Sequence, residues 1–251
     1  MSRKQALSMY LSGTFGQVLG VSLLVWFLRT GGVKVDFTSP MGIITMIVGG
    51  LSSALWGSLA SISYHQSSFK QLLKDFFQVK DSLANYCLVL VFLLLEFFPF
   101  SFGGKITTQS LVLPVVLFFK ALLFGGIEEI GWRYFFQPTL EEKRSYLSAT
   151  LITFLAWSSW HLFYFYIDGS LGVIQLLPFL VGLFINCFIL SALYHKTQNL
   201  WICVMTHACI NSLSQILVNE DGWLSLVSKI LIISLAIMIA RKKYITLKEE
   251  K

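Results

Sequence analysis

Glu128 and Glu129 stand side by side in an apolar stretch, and Arg133 follows Glu129 by four residues. Further along, Trp157-Ser158-Ser159-Trp160-His161 sets an imidazole in a second apolar stretch. His207-Ala208-Cys209-Ile210-Asn211 sets an imidazole and an amide in a third. Ionisable groups held in hydrocarbon cost on the order of several kcal/mol, so they point to function before packing. On a helix, neighbours point about 100° apart while residues four apart share a face. Glu129 and Arg133 can therefore form an internal ion pair, which leaves Glu128 as the carboxylate without a local countercharge. Such a carboxylate suits a general base. His207 and Asn211 also share a face, whereas Cys209 is turned about 200° from His207, which counts against a thiol nucleophile. A lone histidine in a span is more often a helix–helix hydrogen bond than a catalyst. Acid, imidazole and amide groups carried together on three stretches favour one shared polar site.

The elements that carry these groups are long and apolar. Windows of about 20 mostly apolar residues fall at 7–28, 41–62, 82–100, 111–136, 147–165, 171–194, 200–217 and 223–240. The breaks carry turn residues: Thr30-Gly31-Gly32, residues 101–104, Asp168-Gly169 and Glu220-Asp221-Gly222. The expectation is an all-α polytopic membrane bundle of about eight transmembrane helices. It forms a single domain over 1–251, with its motif-bearing core at about 111–217. No internal repeat is visible, so an inverted-repeat transporter lacks its usual signature. The run to about Leu28 is too long for a signal-peptide core and reads as a retained first span.

Composition agrees. Of 251 residues 55% are hydrophobic and 13% charged, about half the charge of a soluble domain. Net charge is +6, yet the basic residues sit in short loops and tails, and no basic stripe with interleaved aromatics suggests nucleic acid. With an even number of spans, one side receives Arg3, Lys4, Lys70, Lys74, Lys80, Lys143, Arg144, Lys196, Arg241, Lys242, Lys243, Lys248 and Lys251, which is 13. The other receives Arg29, Lys34 and Lys105, which is 3. Positive charge marks the cytoplasmic side, so both termini are expected there, in a multi-pass protein of the cell membrane. Lys120, Arg133 and Lys229 fall within spans. Lys229 is close enough to a helix end to snorkel, and Lys120 is expected to pair with Glu96 rather than act in catalysis. Cys87, Cys187, Cys203 and Cys209 form no CxxC pair and read as buried structural thiols.

Depth tests whether the polar groups can meet. From the cytoplasmic helix ends, at about 1.5 Å per residue, Glu128 lies roughly 12 Å in, His161 about 21 Å, His207 about 11 Å and Asn211 about 17 Å. All fall between the cytoplasmic half and the middle of a core of about 30 Å.

Glu-Glu-x-x-x-Arg (Glu128, Glu129, Arg133), aromatic-x-x-x-His (Trp157, His161) and His-x-x-x-Asn (His207, Asn211) together resemble the CPBP family, the CAAX-protease and bacteriocin-processing (Abi) intramembrane peptidases. Trp157 stands where the family often has Phe. The resemblance covers about Gly125 to Ser212; the earlier spans match in hydropathy alone. It implies peptide-bond hydrolysis in a cavity open to the cytoplasm. Glu128, helped by His161, would activate water, and His207 with Asn211 would stabilise the oxyanion. Glu129, Arg133 and Trp157 would support the site. Metal-free activation is the preferred reading, because no zincin spacing is present. The alternative is Zn²⁺ on Glu128, His161 and His207. The implied partners are membrane lipid and an amphipathic, lipidated or leader peptide, in peptide maturation or bacteriocin self-immunity. Compact size and short loops look like the bacterial branch. The rival reading is a non-catalytic immunity scaffold or a small-solute transporter.

Overall fold

The computed structural model describes residues 1–218 and 222–249, with side chains through Arg241. Glu220, Asp221 and Lys251, and the side chains of Lys242, Lys243 and Lys248, lie outside the described residues. The helices in order are α1 (Arg3–Thr30), α2 (Pro40–Gly50), α3 (Ser52–Tyr64), α4 (Phe69–Phe76), α5 (Leu83–Phe97), α6 (Leu113–Phe124), α7 (Gln137–Glu141), α8 (Tyr146–Asp168), α9 (Leu176–Thr197), α10 (Leu200–Ser214) and α11 (Trp223–Glu249). A two-residue antiparallel pair, β1 (Lys105–Ile106) with β2 (Leu217–Val218), is the strand structure among the described residues. The protein is an all-α membrane bundle.

Five segments are long and apolar enough to cross a membrane: Arg3–Thr30, Pro40–Tyr64, Leu83–Phe102, Leu176–Thr197 and Trp223–Arg241. The other three expected spans are helical in different ways. The stretch 111–136 is broken, as described below. Residues 147–165 lie in the continuous 23-residue α8, whose Ser, Trp and His residues dilute its hydropathy. Residues 200–217 shorten to the 15-residue α10.

The helix starts follow from small polar caps. Ser2 Oγ accepts from Gln5 N–H while Gln5 Oε1 accepts from Ser2 N–H at 2.8 Å, a capping box opening α1. Ser39 caps α2 ahead of Pro40, and Ser82, Ser145 and Asn199 cap α5, α8 and α10. Asp81 ties two of these starts together, accepting from Asn85 Nδ2 at 2.6 Å and Asn199 Nδ2 at 2.8 Å.

The chain forms two compact units. In the unit made of residues 1–72 and 130–184, α1 and α3 pack on each other and on the segment Ile130–Phe136. Gly57 and Gly131 permit that approach: a Cβ on Gly57 would lie 2.5 Å from Gly131 Cα, and one on Gly131 would lie 2.7 Å from Tyr10 Oη. Tyr10 Oη and Ser53 Oγ share a buried hydrogen bond of 3.0 Å, and the Tyr10 ring meets Trp132, Phe135 and Phe136. At the other end of α1, Arg29 donates to the Val35, Tyr166 and Ile167 carbonyls, placing a cation at the C-terminus of α8.

In the unit made of residues 73–129 and 185–251, α6 packs along α10, and α5 along α11. The α5–α11 contact corrects one expectation. The cation acting on Glu96 is Lys229, which also donates to Ser225 Oγ at 2.8 Å, whereas Lys120 is exposed on α6. Helix packing brings Lys229, not Lys120, to Glu96. The thiols also differ from expectation: Cys187 and Cys203 are buried and Cys209 is half-buried, but Cys87 is exposed.

Candidate active site

The first motif does not sit on a regular α-helix. Helix α6 ends at Phe124, Gly125 turns, residues Gly126–Glu128 form a 3₁₀ turn, and Ile130–Phe136 form a π-helix. Two consecutive glycines weaken the helix at this point. Short π segments inside helices recur at functional sites. The angular expectation for 111–136 as one straight α-helix is therefore corrected at Gly125.

Within the unit that holds Glu128, Glu129, His207 and Asn211, both carboxylates are buried, Glu128 at 7% exposure and Glu129 at 0%. His207 is 4% exposed. Its Nδ1 lies 2.7 Å from Glu129 Oε1. A carboxylate oxygen accepts, so Nδ1 carries the proton. Asn211, half-buried one turn further along α10, joins it on the same side. An ideal Cβ at Gly125 would lie 2.7 Å from Asn211 Nδ2 and 3.0 Å from His207 Nε2. Both side-chain ends thus lie close against the Gly125 backbone.

Within the other unit, Arg133 is fully buried with its guanidinium 4.2 Å from the Trp157 ring centroid, close enough for a cation–π contact. The Trp157 carbonyl takes His161 Nδ1 at 2.9 Å. A carbonyl only accepts, so His161 also carries its proton on Nδ1. Trp157, Trp160, Phe165 and Phe179 surround the His161 imidazole with centroids 5.0 to 5.6 Å away. Trp157 therefore touches both Arg133 and His161.

Among the described residues, no three His, Cys, Asp or Glu side chains stand together as a metal-ligand set.

Several residues of these surroundings carried no role in the sequence reading: Gly125, the Tyr10–Ser53 pair, Gly57 with Gly131, and Phe179. Ser53-x-x-x-Gly57 is a small-xxx-small pattern, which signals close helix approach and makes the α3 contact legible. Nothing in the sequence singles out Phe179.

The fold and the buried carboxylate–imidazole pair define a helical membrane protein with a polar site sunk in its apolar interior. Residues 109–213 match the family model described as Type II CAAX prenyl endopeptidase Rce1-like. That stretch contains all three motifs, and over it the chain is similar to CAAX-type intramembrane proteases. No curated protein matches the chain.

Proposed function

We propose that this protein is a multi-pass intramembrane endopeptidase with both termini in the cytoplasm. It hydrolyses a peptide bond of an amphipathic, lipidated or leader peptide held at the membrane. The observation that carries the reading is the close approach of His207 Nε2 and Asn211 Nδ2 to Gly125, with His207 Nδ1 held by buried Glu129. Two nitrogen donors this close to one backbone position suit the oxygen of a carbonyl under attack.

The resemblance assigns Glu128 and His161 to water activation. On that resemblance Glu128, helped by His161, takes the proton of the attacking water. The tetrahedral oxyanion forms against Asn211 Nδ2–H and His207 Nε2–H. Because Nδ1 already bears a proton, His207 donates from Nε2 only as the imidazolium, and Glu129 supplies its countercharge. Collapse of the intermediate expels the amine, which takes the proton from Glu128. Arg133 and Trp157 hold the surrounding architecture.

The charge count supports the orientation, and short loops support the bacterial branch. In that setting the products belong to peptide maturation or bacteriocin self-immunity. Purified protein in liposomes, given a quenched peptide with a farnesylated CAAX terminus, is the test. Cleavage by the wild type, and its loss in His161→Ala and Asn211→Ala proteins that insert normally, supports the reading. Equal cleavage by all three refutes it in favour of a scaffold or contaminant activity.

A further inference from the structure

We infer that Gly125 is a positioning residue of the oxyanion site: its missing side chain lets Asn211 Nδ2 and His207 Nε2 lie close against the backbone there. The inference rests on the oxyanion reading above and extends it to a backbone position.

The backbone at Gly125 does not need glycine. Its φ of −86° and ψ of −48° are ordinary right-handed helix, which alanine adopts more readily than glycine. What alanine changes is space. Its Cβ would sit 2.7 Å from Asn211 Nδ2, 3.0 Å from His207 Nε2 and 3.1 Å from the Ala121 carbonyl oxygen. The two nearest atoms are the two donors themselves. His207 has little freedom to retreat, because Nδ1 is fixed at 2.7 Å from a fully buried carboxylate. Asn211, half-buried, must rotate away instead. One methyl group there therefore turns at least one donor aside.

Gly126 makes the contrast. A Cβ there would meet Val204, 2.8 Å from Cγ1 and 3.2 Å from its carbonyl oxygen. Gly126 serves the packing of the 3₁₀ turn against α10 and touches no donor. Adjacent glycines thus divide into one that spares a reacting group and one that spares a helix contact.

The experiment uses the full chain in liposomes with the quenched farnesylated CAAX peptide as probe. Gly125→Ala is expected to lower kcat about 100-fold, the scale of one lost oxyanion donor, with KM within about threefold. Gly126→Ala is expected to lower thermal stability. If Gly125 acts through Asn211, the double variant Gly125→Ala/Asn211→Ala matches Asn211→Ala alone, whereas multiplicative losses overturn the inference. A readout independent of turnover is the ¹⁵N imidazole spectrum of the four histidines. Gly125→Ala is expected to move the His207 resonances and leave those of His65 in place; an unmoved His207 signal overturns the inference. Gly125→Ala at wild-type kcat beside an impaired Asn211→Ala overturns the inference alone. Asn211→Ala at wild-type kcat overturns the oxyanion reading itself.

Discussion

Replacing Glu129 by glutamine tests whether the buried carboxylate sets the charge of His207. The amide keeps the size of the side chain, and its oxygen still accepts from Nδ1–H, so the ring stays oriented. Only the countercharge goes. At the 2.7 Å Nδ1–Oε1 separation and an effective dielectric of about 20, Coulomb's law gives roughly 6 kcal/mol of attraction before desolvation. One oxyanion donor is worth about 2.7–4 kcal/mol of transition-state stabilisation. Glu129→Gln is expected to lower kcat by about 10²–10³ while KM moves by less than about threefold. The assay is steady-state cleavage of the quenched farnesylated CAAX peptide in liposomes, with insertion and thermal unfolding measured on the same preparations. In a His207→Ala background the same substitution should cost almost nothing further, since its partner is gone. Wild-type kcat in Glu129→Gln, or full losses in both backgrounds, refutes the assignment of His207 as an imidazolium donor held by Glu129.

Three other outcomes follow from the packing and the caps. Gly131→Ala places a Cβ 2.5 Å from the Ser53 carbonyl oxygen and 2.7 Å from Tyr10 Oη, and overpacking of this kind costs about 1–3 kcal/mol, visible as a lower midpoint of thermal unfolding. Gly169→Ala strains a residue at φ +85° and should cost on the order of 1 kcal/mol by the same measurement. Burial alone would raise the Asp81 carboxyl, but hydrogen bonds from the Ser82 backbone, Asn199 and Asn85 outweigh it and hold Asp81 below its usual value of 3.8. A depressed carboxyl contributes its stability above the unfolded value, and the contribution is lost as pH falls through the folded one. The stability gap between the wild type and Asp81→Asn should therefore be full at neutral pH and close below about pH 3.8, read from unfolding midpoints across a pH series.

The lipid-embedded helical fold was legible because hydropathy and charge are summed over long windows. A 20-residue apolar run has few alternatives in a bilayer. The interruption at Gly125 was less so. Residues 111–136 keep a uniform hydropathy through the break, and the Gly125-Gly126 pair is the local sign of it. That break matters, because α-helical spacing was expected through it, and the segment from Ile130 is a π-helix. The pairing of Glu129 with His207 lies 78 residues apart in sequence and could not be read from any local pattern. The i,i+4 spacing of His207 and Asn211 did identify their common face, because α10 is regular there. Lys229 was assigned to the interface by its position near a helix end, yet the packing of α11 on α5 gives it Glu96. Partner choice among buried charges depends on helix adjacency, which composition does not encode.

The central claim is that Glu128 activates water for peptide hydrolysis, and mass spectrometry of the peptide products tests it most directly. Purified wild-type protein in liposomes is predicted to cut the farnesylated CAAX peptide at one bond, with one ¹⁸O entering the new carboxyl in H₂¹⁸O. Glu128→Gln protein, inserted to the same level and with the same unfolding midpoint, is predicted to give no product above the protein-free background. Product formed by Glu128→Gln at the wild-type rate would contradict the account.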